Sequence, residues 1–258
     1  MMKKLFSVLL ALFMMAGVIA AAPVVANAAE YTVGNAGTLG AALTAAGNNT
    51  IKLTADITYP LSPDIENKTV TIDLNGYTLT FSSGLVVMNG ELKLKNPTNG
   101  ALNLSRNSND DYTLGVINGK AEITNVGANG PDMWTIYANQ AEVVVHGNLA
   151  CNGVPSMSTC YAVSGTGSKI TVNGTYTVAA GVKYALLNGT EKTQAQKESA
   201  SSKAGYFEYK NGTSYLWVKN PDYVPPPPPG IFGTKPQYNQ WWHYILFFLC
   251  FGFIWMWF

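Results

Sequence analysis

Arginine is almost missing from this chain: Arg106 is the single one in 258 residues. A nucleic-acid interface draws on clustered arginine and lysine, and nothing here supplies such a cluster, so no nucleic-acid partner is expected. Histidine is nearly as scarce, with only His146 and His243. Zinc needs several His or Cys ligands at short spacing, and His146 has no such companion; neither a metal nor any other cofactor is expected. There are three cysteines. Cys250 lies in a hydrophobic run and reads as packing, whereas Cys151 and Cys160, nine residues apart, could form a short-range disulfide, which geometry decides. A nucleophile elbow, a phosphate-binding glycine loop and calcium-type Gly/Asp repeats are also missing. Of the 16 basic residues, 14 remain once Lys3 and Lys4 are set aside, against 15 acidic ones, so the rest of the chain is near neutral.

Long hydrophobic runs stand only at the two ends. Lys3 and Lys4 precede an uncharged run from Leu5 to Ala22, and Ala26-Asn27-Ala28 is a small-x-small cleavage site. Residues 1–28 are therefore expected to be an export signal cut after Ala28, with a cut after Ala29 as the alternative. Residues 241–258 form a second run of 18 without Asp, Glu, Lys or Arg, about 27 Å long as a helix beside a hydrocarbon core of about 30 Å. Trp241, Trp242 and Tyr244 crowd one end and Trp255 and Trp257 the other, as interfacial belts do. The expectation is a C-terminal transmembrane helix holding an exported chain at the extracellular face of the cell membrane, with the membrane as a partner.

Between the ends, the residues from Thr38 to Gly47 carry a short helix signal, with Thr38 as cap, Leu39, Ala42, Leu43 and Ala46 on one face and Gly47 as the stop. From Thr50 onward the apolar period becomes two: Ile51/Leu53, Val70/Ile72/Leu74, Leu79/Phe81, Leu92/Leu94, Leu102/Leu104, Val143/Val145 and Ile170/Val172 all alternate with polar neighbours, the pattern of half-buried strands. One motif recurs, a small apolar strand closed by Asn-Gly or a variant. Its polar residue falls at Asn89, Asn118, Asn139, Ser164 and Asn188, at intervals of 29, 21, 25 and 24. Irregular coils of this length, each with the same strand-turn-strand order, describe a parallel β-solenoid over 29–190. About six coils are expected, with those five polar residues laddered at one corner in a structural role. An antiparallel sandwich is the rival, but it expects two-residue hairpin turns that the central region mostly lacks.

Residues 191–204 read as a polar spacer. Tyr206 to Val218 reads as a hairpin turning at Asn211-Gly212 and capping the last coil; together they make a cap over 191–219, whose aromatics could alternatively form a sugar-binding face. Pro225 to Pro229 stiffens a linker over 220–240.

The short helix running into Asn49-Thr-Ile-Lys-Leu-Thr-Ala-Asp-Ile57, followed by Lys68-Thr-Val-Thr-Ile-Asp-Leu-Asn-Gly-Tyr-Thr-Leu-Thr80, resembles the opening of bacterial surface right-handed parallel β-helix proteins of the pectate-lyase-like class. The resemblance covers roughly residues 30–190 and is one of architecture. It implies an all-β right-handed solenoid whose helix plugs the first coil. It implies little about activity, because that class holds polysaccharide lyases, hydrolases and non-catalytic adhesins.

The residues that could carry chemistry sit before the repeated polar positions. Counting back seven gives Asp111 from Asn118 and Asp132 from Asn139; equal register would bring both loops to one edge, with Asp110, Arg106 and Trp134 beside them. Paired carboxylates and a stacking aromatic are what a sugar site requires, although solvated loop tips would give the same pattern. No catalytic motif is present. The reading favours a non-catalytic surface protein that displays loops for adhesion or binds cell-wall or host carbohydrate. A surface polysaccharide lyase or glycoside hydrolase is the first alternative, and a self-associating envelope protein the second.

Overall fold

The computed structural model describes residues 28–106, 112–129, 134–152 and 160–226. Residues 1–220 form one compact unit and 221–258 a second; the first is a solenoid of stacked coils with three strands each. The opening strand β1 (Ala29–Val33) leads through helix α1 (Ala36–Thr44) into the coils. The first coil is β2 (Asn49–Leu53), β3 (Ile57–Tyr59) and β4 (Asp64–Glu66), and the second is β5 (Thr69–Asp73), β6 (Thr78–Phe81) and β7 (Leu85–Met88). The third and fourth are β8 (Glu91–Lys95), β9 (Ala101–Arg106), β10 (Tyr112–Ile117) and β11 (Lys120–Ile123), β12 (Asn125–Ala128), β13 (Trp134–Asn139). The fifth and sixth are β14 (Glu142–Val145), β15 (Leu149–Cys151), β16 (Tyr161–Thr166) and β17 (Lys169–Val172), β18 (Tyr176–Val178), β19 (Lys183–Leu187).

Each strand pairs in parallel with its equivalents one coil away, so the coils build three long sheets of nine, seven and six strands. The sequence period of two is what makes this work. In the nine-stranded sheet Val70, Leu92, Ala121, Val143, Ile170 and Leu216 are successive partners, and all are buried. The intervening row, Thr71, Lys93, Glu122, Val144, Thr171 and Trp217, is mostly polar. Each fully buried Val, Leu or Ile contributes about 1.5–3 kcal/mol, and the rows continue from coil to coil. In the six-stranded sheet Tyr59 meets Phe81 edge to face, with centroids 5.8 Å apart.

The ends are closed differently. Helix α1 buries Leu39, Ala42 and Leu43 against the first coil. Its cap is Asn35, not Thr38: the Thr38 N–H donates to Asn35 Oδ1 at 3.0 Å, and the helix stops at Thr44, three residues before Gly47. Lys68 donates its ammonium to the carbonyls of Leu43 and Ala45 at the C-terminal end of that helix, where positive charge is favoured. At the far end, the expected spacer holds a short strand, β20 (Thr190–Lys192), folded antiparallel onto β19. The hairpin β21 (Tyr206–Asn211) and β22 (Ser214–Lys219) then adds to the nine-stranded sheet, β22 lying parallel to β17. Its turn residues are Gly212 and Thr213, since Asn211 already pairs with Ser214.

One expectation is overturned. Among the described residues no helix is long and apolar enough to cross a membrane, which takes about 20 residues; α1 has nine. Among the described residues the all-β solenoid carries no transmembrane helix, and the membrane partner and the anchoring at the cell surface that depended on one are withdrawn. Trp241, Trp242, Tyr244, Trp255 and Trp257 lie outside the described residues, as do the export signal and the proline run from 227.

Candidate functional site: an aromatic terrace on the seven-stranded sheet

Four side chains share one register line across consecutive coils: Tyr112, Trp134, Tyr161 and Lys183. Each stands at the start of its strand, just after the connection from the six-stranded sheet. In the first three strands the following residue, Thr113, Thr135 or Ala162, is fully buried. The Tyr112 and Tyr137 rings stack, with centroids 5.8 Å apart and planes 19° from parallel. Trp134 leans on the same Tyr137 at 5.2 Å and 41°. None of the three belongs to the aliphatic core, and all three are half-buried.

Small residues make room for them. Gly115 and Ser164 are the register partners of Tyr137 on either side, and a Cβ on Gly115 would stand 2.5 Å from Tyr112 Cε2. Among the described residues the buried Trp134 Nε1–H meets no acceptor. An aromatic face of this kind is suited to the C–H face of a sugar ring.

The same line ends in a polar group. The Tyr161 hydroxyl donates to Glu191 Oε1 at 2.6 Å, Lys183 pairs with the same oxygen, and Lys183 Nζ lies 3.4 Å from the Tyr161 hydroxyl. The bond from Lys183, then that from Tyr161, holds the Glu191 carboxyl below its ordinary range. The bond to Glu191 raises Lys183, and burial, followed by the hydrogen bond to Glu191, raises Tyr161. At neutral pH the group is therefore a carboxylate, an ammonium and a neutral phenol, presenting donors and acceptors at the edge of the terrace.

Of the residues expected to carry chemistry, Trp134 is on this terrace. Asp110, Asp111 and Asp132 lie outside the described residues. The two polar positions they were counted from, Asn118 and Asn139, are not partners: Ile117 is the partner of Asn139. Arg106 is buried, 7% exposed, and donates to the Tyr112 carbonyl. It pins the start of β10 from inside, which is a positioning role for the terrace. Cys151 and Cys160 are both buried.

The polar corner differs from the expected ladder in two members. Left-handed backbone occurs at Asn67, Asn89, Asn118, Gln140, Gly167 and Asn188. Asn139 is the last residue of β13, and Ser164 lies within β16, buried. Asn118 Nδ2 reaches Asn89 Oδ1 at 3.4 Å, and Asn188 Oδ1 accepts from the Gly167 N–H at 2.9 Å. A groove of about 670 Å³ follows this corner, lined by Asn67, Asn89, Asn118, Gln140 and the charged column Glu91, Lys120, Glu142, Lys169. It has no aromatic side chain in its lining, and its amides serve the turns. Two further amide pairs, Asn125 to Asn103 at 2.8 Å where β12 begins and Asn152 to Asn129 at 3.2 Å just past the ends of β12 and β15, left no signal in the sequence repeat.

No protein-family model matches the chain, and neither does any curated protein or solved structure. The parallel coils therefore establish the architecture without a family. Among the described residues no three His, Cys, Asp or Glu side chains gather as a metal site would require.

Proposed function

We propose that this protein is a non-catalytic carbohydrate-binding β-solenoid, exported by means of residues 1–28, that holds a neutral glycan along the terrace of Tyr112, Trp134 and Tyr137. The observation that carries the reading is the stack of Tyr112 on Tyr137 with Trp134 against it, three rings from two neighbouring coils lying outside the core. Coils repeat at about 4.8 Å, close to the length of one sugar unit, so rings on successive coils meet successive units of an extended chain. Tyr161, Glu191 and Lys183 extend that line with polar groups suited to hydroxyls. The domain scheme belongs to the same reading: a solenoid from 29 to 190, a cap over 191–219 and a linker over 220–240. Kinship with the right-handed pectate-lyase-like proteins is supported by the parallel coils and by the helix at the first coil.

A glycan array probed with the full chain, followed by calorimetry on the best ligand, tests this. Trp134→Ala and Tyr137→Ala should each weaken binding about tenfold, since an aromatic contact of this kind is worth about 0.5–1.5 kcal/mol beyond its buried area. Unchanged affinity in both variants would remove the terrace from consideration. Mass spectrometry of exported protein should find Ala29 as the first residue.

A further inference from the structure

Charge changes character along the outer face of the nine-stranded sheet. Toward the N-terminal end three of its cations are matched, though Lys52 in β2 has no ion pair among the described residues: Lys95 with Asp73 at 3.2 Å, Lys93 with Glu91 at 2.8 Å, and Lys120 with Glu142 at 3.3 Å. Over β17, β22 and β21 the matching stops. Lys169, Lys210 and Lys219 are exposed there, and Lys203 reaches across from the segment before the hairpin. Among the described residues, none of the four has a carboxylate at ion-pair distance. The one acidic residue in these three strands is Glu208, and it is buried. Its carboxylate already accepts from the Ser202 N–H at 2.6 Å, from the Ser202 hydroxyl and from Trp217 Nε1 at 3.0 Å.

Aromatic rings hold three of these lysines in place. Lys203 Nζ is 4.4 Å from the centroid of Tyr206 and 5.8 Å from that of Trp217, and Lys219 Nζ is 5.3 Å from Tyr206. Lys210 Nζ is 4.9 Å from the centroid of Tyr215, which stacks on Trp217 with planes 13° apart. Thr171 Oγ1 accepts from Lys203 at 3.2 Å. A lysine loses much rotamer freedom when it is ordered, and ring contacts of this kind have already restricted it, so an incoming anion meets cations in position. Burial holds Lys203 below its ordinary pKa, Glu142 opposes that, and the neighbouring Lys219 adds to it; an anion beside both ammoniums would relieve their repulsion. Protection of a sheet edge asks for charge on the outermost strand, which is β21. It does not account for Lys169 in β17 or Lys219 in β22.

We propose that this lysine-and-ring face is a second binding site, separate from the terrace, for an acidic polysaccharide. Carboxylate or sulfate groups of the polymer pair with Lys203, Lys219, Lys210 and Lys169, and its sugar edges rest on Tyr206, Tyr215 and Trp217. An ammonium is a point charge without the planar fork of arginine, so the face selects charge and spacing, not the shape of the anion.

Affinity electrophoresis of the full chain through gels holding dextran, carboxymethyl-dextran or dextran sulfate tests this on one neutral backbone. Both acidic polymers should retard the wild type, dextran should not, and added salt should reduce the effect. Lys203→Gln with Lys219→Gln should weaken retardation at least tenfold with little change in thermal midpoint. Lys93→Gln with Lys120→Gln, which alters net charge equally at paired positions, should leave it unchanged. The proposal is overturned by equal retardation in all three gels, by none in the acidic gels, or by equal losses in the two double variants. Trp134→Ala should leave acidic-gel retardation intact, which separates this site from the terrace.

Discussion

Tyr112 and Tyr137 come from successive coils and stack ring on ring, 5.8 Å apart, because Gly115 leaves no Cβ between the Tyr112 ring and the sheet. Gly115→Ala would put a methyl 2.5 Å from Tyr112 Cε2 and push that ring off its partner. The expected result is a glycan affinity reduced about fivefold, the equivalent of about 1 kcal/mol. The near-ultraviolet circular dichroism of the unliganded protein should also lose part of its tyrosine signal. A variant with the wild-type spectrum would show that the stack does not depend on this glycine.

The Tyr161–Glu191–Lys183 group sets a pH window for the closure of β20 on β19. Glu191 is depressed in the folded chain, so its contribution is present above its ordinary value of 4.5 and is lost as pH falls through the lower folded value. Lys183 is raised, so its contribution is complete below its ordinary value of 10.5 and is lost as pH rises through the higher folded value. Amide exchange of residues 190–192 should therefore be slow across neutral pH and quicken at both extremes. Glu191→Gln should bring Tyr161 ionisation down toward the ordinary phenol, read by absorbance near 295 nm.

Asn118 holds a left-handed backbone, φ +48°, which costs a side chain with a Cβ about 1–2 kcal/mol unless local hydrogen bonding offsets it. Asn118→Ala should lose about that much in urea denaturation, and Asn118→Gly much less. Equal losses would mean that the amide, not the backbone angle, is what the corner needs.

Phe81 is fully buried and meets Tyr59 edge to face. Phe81→Ala should cost about 3–5 kcal/mol by the lost transfer energy and the cavity left behind. A loss below about 1 kcal/mol would mean that the coils collapse around the gap and are not held in register by their interior rows.

Much of the architecture was legible because its cause is periodic. Ile72, Leu94 and Val143 announce an inward row by alternation alone, and Asn-Gly pairs mark the corners. The register was not legible to the residue. Asn139 mimics Asn118 in its local motif, yet Ala138 packs level with Val116, which moves Asn139 back into the strand and puts Gln140 at the corner. The site was legible only in part. Trp134 could be named, but no local motif sets Tyr112 and Tyr137 apart before the stacking puts them side by side, and Glu191 was hidden in a segment without strand signal.

What the sequence alone determined is what short stretches of chain can express: strands of period two, coils of uneven length, a capping helix and hairpin, and near-neutral charge. Only the tertiary structure decided which residues become neighbours, because contacts between coils join positions 20 to 30 apart and a one-residue slip in register exchanges the inside of a strand for its outside. That is why the aromatic terrace and the unmatched lysines of the cap emerged from the folded chain and not from its motifs.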